Sequence, residues 1–209
     1  MRRLILFENF NLDGGTFIDE RDGIEYKTIE VNGTIWMAEN FRHNFVPKTI
    51  TKGGFWDMLE IKEPVLKFDV NNGEYYYNFA AAERAAPKGW EIPSNLDWQK
   101  LIVKYAEGNT GNSKYRNAFK NLADPKFENE SFSRDEMNAS GFSVLPFGYY
   151  NGRTLGTIKE ESEKAFFWTS DAGSASNYRL FYYFNDYGNI GSQGFPESVL
   201  MSVRYIKKK

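Results

Sequence analysis

The residue types that carry most protein chemistry are sparse in this chain. There is one histidine, His43, and no cysteine among 209 residues. A single imidazole does not build a multi-histidine facial metal site. A Ser-His-Asp relay would have to pass through His43, and no Gly-x-Ser-x-Gly elbow accompanies it. Without cysteine there is no thiolate nucleophile, thiolate metal site or disulfide. Carboxylates cluster twice, as Asp19, Glu20 and Asp22 and as Glu160, Glu161 and Glu163. Little apolar sequence surrounds either group, so both read as solvated turns rather than as carboxyls with raised pKa. His43, between Arg42 and Asn44, reads as a solvated loop residue. Gly188-Asn189-Ile190-Gly191 reads as a turn and not as a phosphate cradle. The expectation is a non-enzymatic protein with no catalytic residue, cofactor or metal.

Binding chemistry is better represented. The stretch from Tyr149 to Phe195 is crowded with Tyr, Asn, Arg and Asp. Tyrosine gives broad amphipathic contact at low rotamer entropy, and asparagine gives adaptable hydrogen bonds. The candidate ligand- or partner-binding residues are Tyr149, Tyr150, Asn151, Arg153, Asp171, Asn177, Arg179, Tyr183, Asn185, Tyr187 and Asn189. In a strand over 178–184, Tyr178, Leu180, Tyr182 and Phe184 share one face, and Arg179, Phe181 and Tyr183 share the other. One face is expected to be core and the other available. A second candidate is an N-terminal arm, residues 1–15, in which Leu4, Ile5, Leu6 and Phe7 form a short strand suited to adding to a partner's sheet edge, with Gly14-Gly15 as the joint.

Several elements would position these residues. Tyr26 to Val31 alternates and is β-branched, Asn32-Gly33 supplies a two-residue turn, and Thr34 to Ala38 returns as the partner strand. Ser94 followed by Asp97 forms a capping box, and Trp98, Leu101, Ile102 and Tyr105 repeat on one helical face, with Gly108 as the left-handed stop. A shorter helix over Phe79 to Ala85 is stopped by Pro87. Residues 108–140 are polar and read as loops with one weak helix. Phe142 to Leu145, Ala165 to Thr169, Tyr178 to Phe184 and Val199 to Ile206 read as strands. Strands flank the helices instead of alternating with them, which gives an α+β class. The domain proper is placed at 16–209.

Composition narrows the partners. A net charge of −2 gives no basic face for nucleic acid. No window approaches the ~18 apolar residues of a membrane span. Met1-Arg2-Arg3-Leu4-Ile5-Leu6-Phe7 begins like an export leader, but Glu8 and Asn9 end its apolar run below the ~7 residues such a leader needs.

Three ordered stretches carry a resemblance. They are Asp22-Gly23-Ile24-Glu25-Tyr26 through Trp36-Met37-Ala38-Glu39-Asn40; Tyr77-Asn78-Phe79 with Pro87-Lys88-Gly89-Trp90 and Asp97-Trp98; and Gly141-Phe142-Ser143-Val144-Leu145-Pro146 with Phe167-Trp168-Thr169-Ser170 and Ser202-Val203-Arg204-Tyr205. Together, over roughly residues 19–206, they resemble the Fibrobacter succinogenes major paralogous domain family. The resemblance implies a C-type-lectin-like domain related to the formylglycine-generating-enzyme group, with paired terminal strands, two flanking helices and a long irregular β-rich C-terminal half that carries the ligand surface. Members of the family often have cysteines where this chain has Ala86 and Tyr205. The Glu-Pro-Asn and Trp-Asn-Asp signatures of calcium-holding lectins have no match in Glu91-Ile92-Pro93-Ser94-Asn95 or Trp168-Thr169-Ser170-Asp171.

The implied role is a binding module in a larger assembly, meeting a receptor, a cell-surface glycan or a partner protein. A phage virion component of the tail or capsid fibre, assembled in the host cytoplasm, is the leading expectation. A bacterial cell-surface or secreted adhesin, or a structural decoration protein touching sister subunits in a homo-oligomer, are the alternatives.

Overall fold

The computed structural model describes residues 15–44, 64–129, 131–151, 158–175 and 177–208. The proposed arm strand Leu4–Phe7 and Arg153 lie outside these residues.

The expected hairpin is present as β2 (Glu25–Val31) and β3 (Thr34–Met37). Asn32 and Gly33 have φ of 51° and 79°, the left-handed pair that a tight turn matched to strand twist demands. β1 (Thr16–Ile18) joins β2, and β11 (Ile206–Lys208) joins β3 with Ile206 opposite Trp36. The first and last described strands therefore share one sheet, ordered β1-β2-β3-β11.

β4 (Leu66–Asp69) and β5 (Glu74–Tyr77) form a small hairpin leading into α1 (Phe79–Ala85). Asn78 caps α1, its Oδ1 accepting from the N–H groups of Ala81 at 2.9 Å and Val65 at 2.8 Å. α2 (Asn95–Tyr105) begins at the Ser94/Asp97 capping box, with both reciprocal hydrogen bonds made. It ends in two left-handed residues, Glu107 and Gly108.

The one helix expected within residues 108–140 is present as α3 (Gly111–Leu122), a full twelve-residue helix. Tyr115, Ala118, Phe119 and Leu122 fall on one helical stripe, and the last three are buried in the core. A single 3₁₀ turn follows at Arg134–Glu136.

The C-terminal half holds a short pair, β6 (Tyr149–Tyr150) with β7 (Ile158–Lys159). It also holds a three-stranded antiparallel sheet ordered β10-β9-β8, made of β8 (Lys164–Ala172), β9 (Tyr178–Asn185) and β10 (Ile190–Pro196). The strand expected at Phe142–Leu145 is corrected, and that expected at Val199–Ile206 is confined to its last residue, Ile206, which opens β11. Elsewhere in these segments only isolated bridges occur, Val144 with Ala123, Leu200 with Tyr150, Met201 with Tyr77 and Ser202 with Phe167. These segments thread between other elements, so their alternating apolar residues meet several partners and no continuous ladder forms.

Three helices beside mostly antiparallel sheets make the described residues an α+β fold. The core lies on both sides of the β8–β9 pair. Ala165, Phe167, Tyr182 and Phe184 pack on one side with Trp36, Trp98, Phe119 and Phe142. Phe166, Trp168 and Phe181 pack on the other with Tyr26, Phe41, Tyr77, Phe79 and Tyr205. The register explains this, because Phe167 faces Tyr182 and Trp168 faces Phe181, so each side receives large side chains from both strands. The expectation of one free face on 178–184 is thereby overturned.

Candidate binding site

With both faces of β9 covered, the candidate residues are available only at its ends and along the outer strand. β9 spans eight residues, which separates those ends by roughly 25 Å. Asp171, Asn177 and Arg179 lie at one end, and Asn185, Tyr187 and Asn189 at the other. The eleven residues do not form one surface.

At the first end the polar groups are engaged internally. Arg179 Nε donates to Glu197 at 2.8 Å, and its guanidinium sits 4.3 Å from the Phe79 ring centroid. Asp171 accepts from the Asn95 N–H at 2.5 Å, completing the N-terminus of α2. Asn177 is exposed, and its carbonyl accepts from the Glu197 N–H.

Tyr149 and Tyr150 are structural in place. Tyr149 packs between Phe166 and Phe195, with ring centroids 5.0 and 5.2 Å away. Tyr150 is buried, its hydroxyl donates to Asp69, its ring meets Tyr76 edge-on, and Lys67 Nζ lies 3.6 Å from its centroid. The exposed-ligand reading of Tyr150 is corrected, because β6 turns this side chain inward against the β4–β5 hairpin. Asn151 is half-buried. Tyr183 is half-buried, its ring lying where a Cβ on Gly191 would be, 2.4 Å from Cζ.

The far end is presented outward. The β9–β10 turn is held by Asn189 N–H to Asn185 Oδ1 at 3.0 Å and Gly188 N–H to the Asn185 carbonyl at 3.0 Å. Gly188 has φ +73° and rests on Phe132. Ser131 Oγ donates to the Tyr187 carbonyl at 3.2 Å. These contacts hold the backbone and leave the Tyr187 side chain 64% exposed.

Beside this turn lies a groove of about 530 Å³ between α2, α3 and β10. Its lining is Gln99 and Ile102 from α2, Lys114 and Tyr115 from α3, Tyr182 from β9, and Ile190, Gly191 and Ser192 from β10. Ile102 and Ile190 are buried, and Tyr115 is exposed at the rim. Burial pushes the Tyr182 hydroxyl up to about 12, so it stays a donor, and it bonds Asn95 Oδ1 at 2.7 Å. Among the described residues, no carboxylate lines the groove and Lys114 makes no ion pair. An apolar floor with converging amide, hydroxyl and ammonium groups is the make-up of a ligand site. The sequence reading missed Gln99, Lys114 and Tyr115, and the signal that leads to the latter pair is the Tyr115-Ala118-Phe119-Leu122 stripe.

Two features are better explained as structure. Asp19, Asp22 and His43 bring ligand atoms within 4.8 Å of one another. However, Asp19 is buried and holds Arg21 through Nε at 2.8 Å and Nη2 at 2.6 Å, while Asp22 holds the His43 ring and accepts from the Ile24 N–H at 3.0 Å. The Arg21 guanidinium beside Asp19 keeps that carboxyl below its ordinary range, against the opposing effect of burial. With the cation already supplied by Arg21, the donor set does not fit a metal. The solvated readings of His43 and of Asp19 are corrected accordingly. A second cavity, about 370 Å³ beside Trp90 and Ile92, is bordered by the ion pair of Glu91 with Lys208 at 2.7 Å.

The geometry defines an α+β domain whose first and last described strands meet in one sheet and whose open groove lies against the β10-β9-β8 sheet. The chain belongs to the Fibrobacter succinogenes major domain family, whose model matches residues 29–207. No curated protein and no solved structure matches the chain. No helix among the described residues is long and apolar enough to cross a membrane.

Proposed function

We propose that this chain is a non-enzymatic binding module whose ligand surface is the α2–α3–β10 groove continued by the Tyr187 turn. The observation that carries this reading is the groove itself, an apolar floor ringed by Gln99, Lys114, Tyr115 and Ser192. The adjoining exposed tyrosine extends the same amphipathic chemistry onto the turn. The ligand class is a receptor, glycan or partner protein met as part of a larger assembly. Our reading of that assembly is a phage virion, with a bacterial cell surface as the alternative setting. We read the fold as C-type-lectin-like, which the pairing of β11 with β3 and the β-rich C-terminal half support.

The test is binding of the labelled full chain to bacterial cells and to a glycan array. Tyr115→Ala with Tyr187→Ala is expected to weaken binding at least tenfold, while Asn177→Ala leaves it unchanged. Equal loss in both variants, or no loss in the tyrosine pair, overturns the site. Retention of binding in the presence of a chelator is expected, and its abolition refutes the metal-free reading.

A further inference from the structure

β10 is an outer strand, and its free side opens onto the groove. Natural sheets blunt such edges with charged residues, bulges or covering elements, because unpaired N–H and C=O groups template another strand. β10 has none of the first two. It reads Ile-Gly-Ser-Gln-Gly-Phe-Pro, without a charge until Glu197, and its register on β9 runs unbroken from Ile190 opposite Phe184 to Pro196 opposite Tyr178.

Which groups point outward follows from the turn. The Asn185 N–H bonds the Asn189 carbonyl at 3.0 Å, so that pair is a hydrogen-bonded one. Antiparallel pairs alternate between bonded and non-bonded. Gly191, Gln193 and Phe195 therefore exchange bonds with β9, and Ser192 and Gly194 turn their N–H and C=O groups away from it. Among the described residues, no hydrogen bond engages the backbone of either residue on that outer side. Both are small, so an incoming backbone meets little side chain.

The side on which a docked strand would project is also fixed. Ser192 lies opposite Tyr182 and shares its face, the one covered by α2 and α3. A residue added opposite Ser192 projects its side chain into the groove, over Ile102 and Ile190 and toward Tyr115 and Lys114.

Resting on the reading of this groove as the ligand site, we propose that its occupant is an extended peptide segment of a partner protein. The segment adds as a fourth strand to β10, places an apolar side chain on the Ile102–Ile190 floor and sets a carboxylate against Lys114. Main-chain bonds to Ser192 and Gly194 give affinity, and the groove selects alternate side chains. Complementarity of charge favours an acidic segment over a second copy of β10, which carries no charge to offer Lys114.

The experiment selects a displayed random heptapeptide library on the immobilised full chain, then measures fluorescein-labelled selected peptides by anisotropy. Ser192→Pro and Gly194→Pro each remove an outward N–H that β9 does not use, and thermal unfolding checks that both variants fold. The expected result is enrichment of peptides with an acidic and an apolar residue, bound at least tenfold more weakly by both proline variants. Amide exchange at Ser192 and Gly194 should slow on peptide binding to the unaltered chain, a readout that needs no variant. Peptides that bind the proline variants equally, or no enrichment over them, overturn the proposal. So does a concentration-dependent dimer abolished by Ser192→Pro, which assigns the edge to a second copy. Cell or glycan binding that is lost in the tyrosine variants but retained in Ser192→Pro leaves the binding module standing and removes only its peptide ligand.

Discussion

Replacing Arg204 with methionine should be among the most damaging single changes to this domain. Arg204 is 2% exposed and lies between the rings of Phe142 and Phe167, 4.3 and 5.3 Å from their centroids. Its Nε donates to Asn40 Oδ1 at 2.9 Å, Nη1 to the carbonyls of Ala38 at 2.9 Å and of Phe142, and Nη2 to the Ser143 carbonyl at 2.9 Å. Asn40 in turn donates to Glu74 at 3.1 Å. Methionine fills most of the volume but leaves three backbone carbonyls and an amide oxygen without these donors. A buried polar group that loses its partner costs about 1–3 kcal/mol. Exchanging a buried ion pair for apolar residues is often neutral because both partners leave together, but here the acceptors are main chain and remain. Some recover part of the loss through their second lone pair, so about 3–5 kcal/mol is expected in total. For a domain of this size that corresponds to roughly 6–20 °C in Tm. Urea unfolding followed by tryptophan fluorescence, with thermal unfolding by circular dichroism, measures it. Arg204→Lys, with a donor but no planar fork, should fall between the two. A loss below about 1 kcal/mol for Arg204→Met would refute the claim that carbonyl satisfaction, and not packing alone, fixes this residue.

Other outcomes follow from the same network and from the caps. Glu74 is buried and its carboxyl is pushed up to about 7, chiefly by desolvation. The folded state therefore holds a proton that the unfolded state releases near pH 4.5, and stability falls as pH rises between those values, by on the order of 3 kcal/mol. Glu74→Gln should flatten that slope in urea titrations from pH 5 to 8, and an unchanged slope would place its origin elsewhere. Ser94→Ala removes the acceptor for the Asp97 N–H and should cost about 1 kcal/mol in the same titration without altering ligand binding. Tyr150→Phe removes the donor to Asp69 and should lower stability by about 1–2 kcal/mol while leaving cell, glycan and peptide binding intact. Loss of binding in a folded Tyr150→Phe protein would return Tyr150 to the ligand surface.

Local signals were legible where one element decides its own conformation. Asn32-Gly33 fixes its hairpin because both residues tolerate positive φ, and Ser94 with Asp97 fixes the start of α2 because the reciprocal hydrogen bonds lie within four residues. Tertiary placement was not legible in the same way. Alternation along 178–184 separates two faces but does not say that α2 and α3 pack on one and α1 on the other, with the N-terminal sheet contributing to both, and that coverage leaves neither face free. The bounds and strength of α3, expected only as one weak helix, were obscured by composition. Thr110 makes no side-chain cap and asparagine and lysine dominate the stretch, although the Tyr115-Ala118-Phe119-Leu122 stripe was available to be read.

The residues that carry the family resemblance and those that line the groove have different physical duties. Trp168 donates its indole N–H to the Tyr77 carbonyl at 2.8 Å. Tyr205 donates its hydroxyl to the Ala82 carbonyl at 2.5 Å, tying the final segment to α1 at a place where the family resemblance suggested a cysteine. Asn78 caps α1 and also holds Val65, while Arg204 joins the final segment to the Ala38–Asn40 and Phe142–Ser143 turns. Each joins segments far apart in the chain, so substituting any of them damages the frame before it reaches a ligand. Gln99, Lys114, Tyr115 and Ser192 line the open groove. On the proposed reading of the groove, substitutions in the first set should show as lost stability and substitutions in the second as altered binding by a protein that still folds.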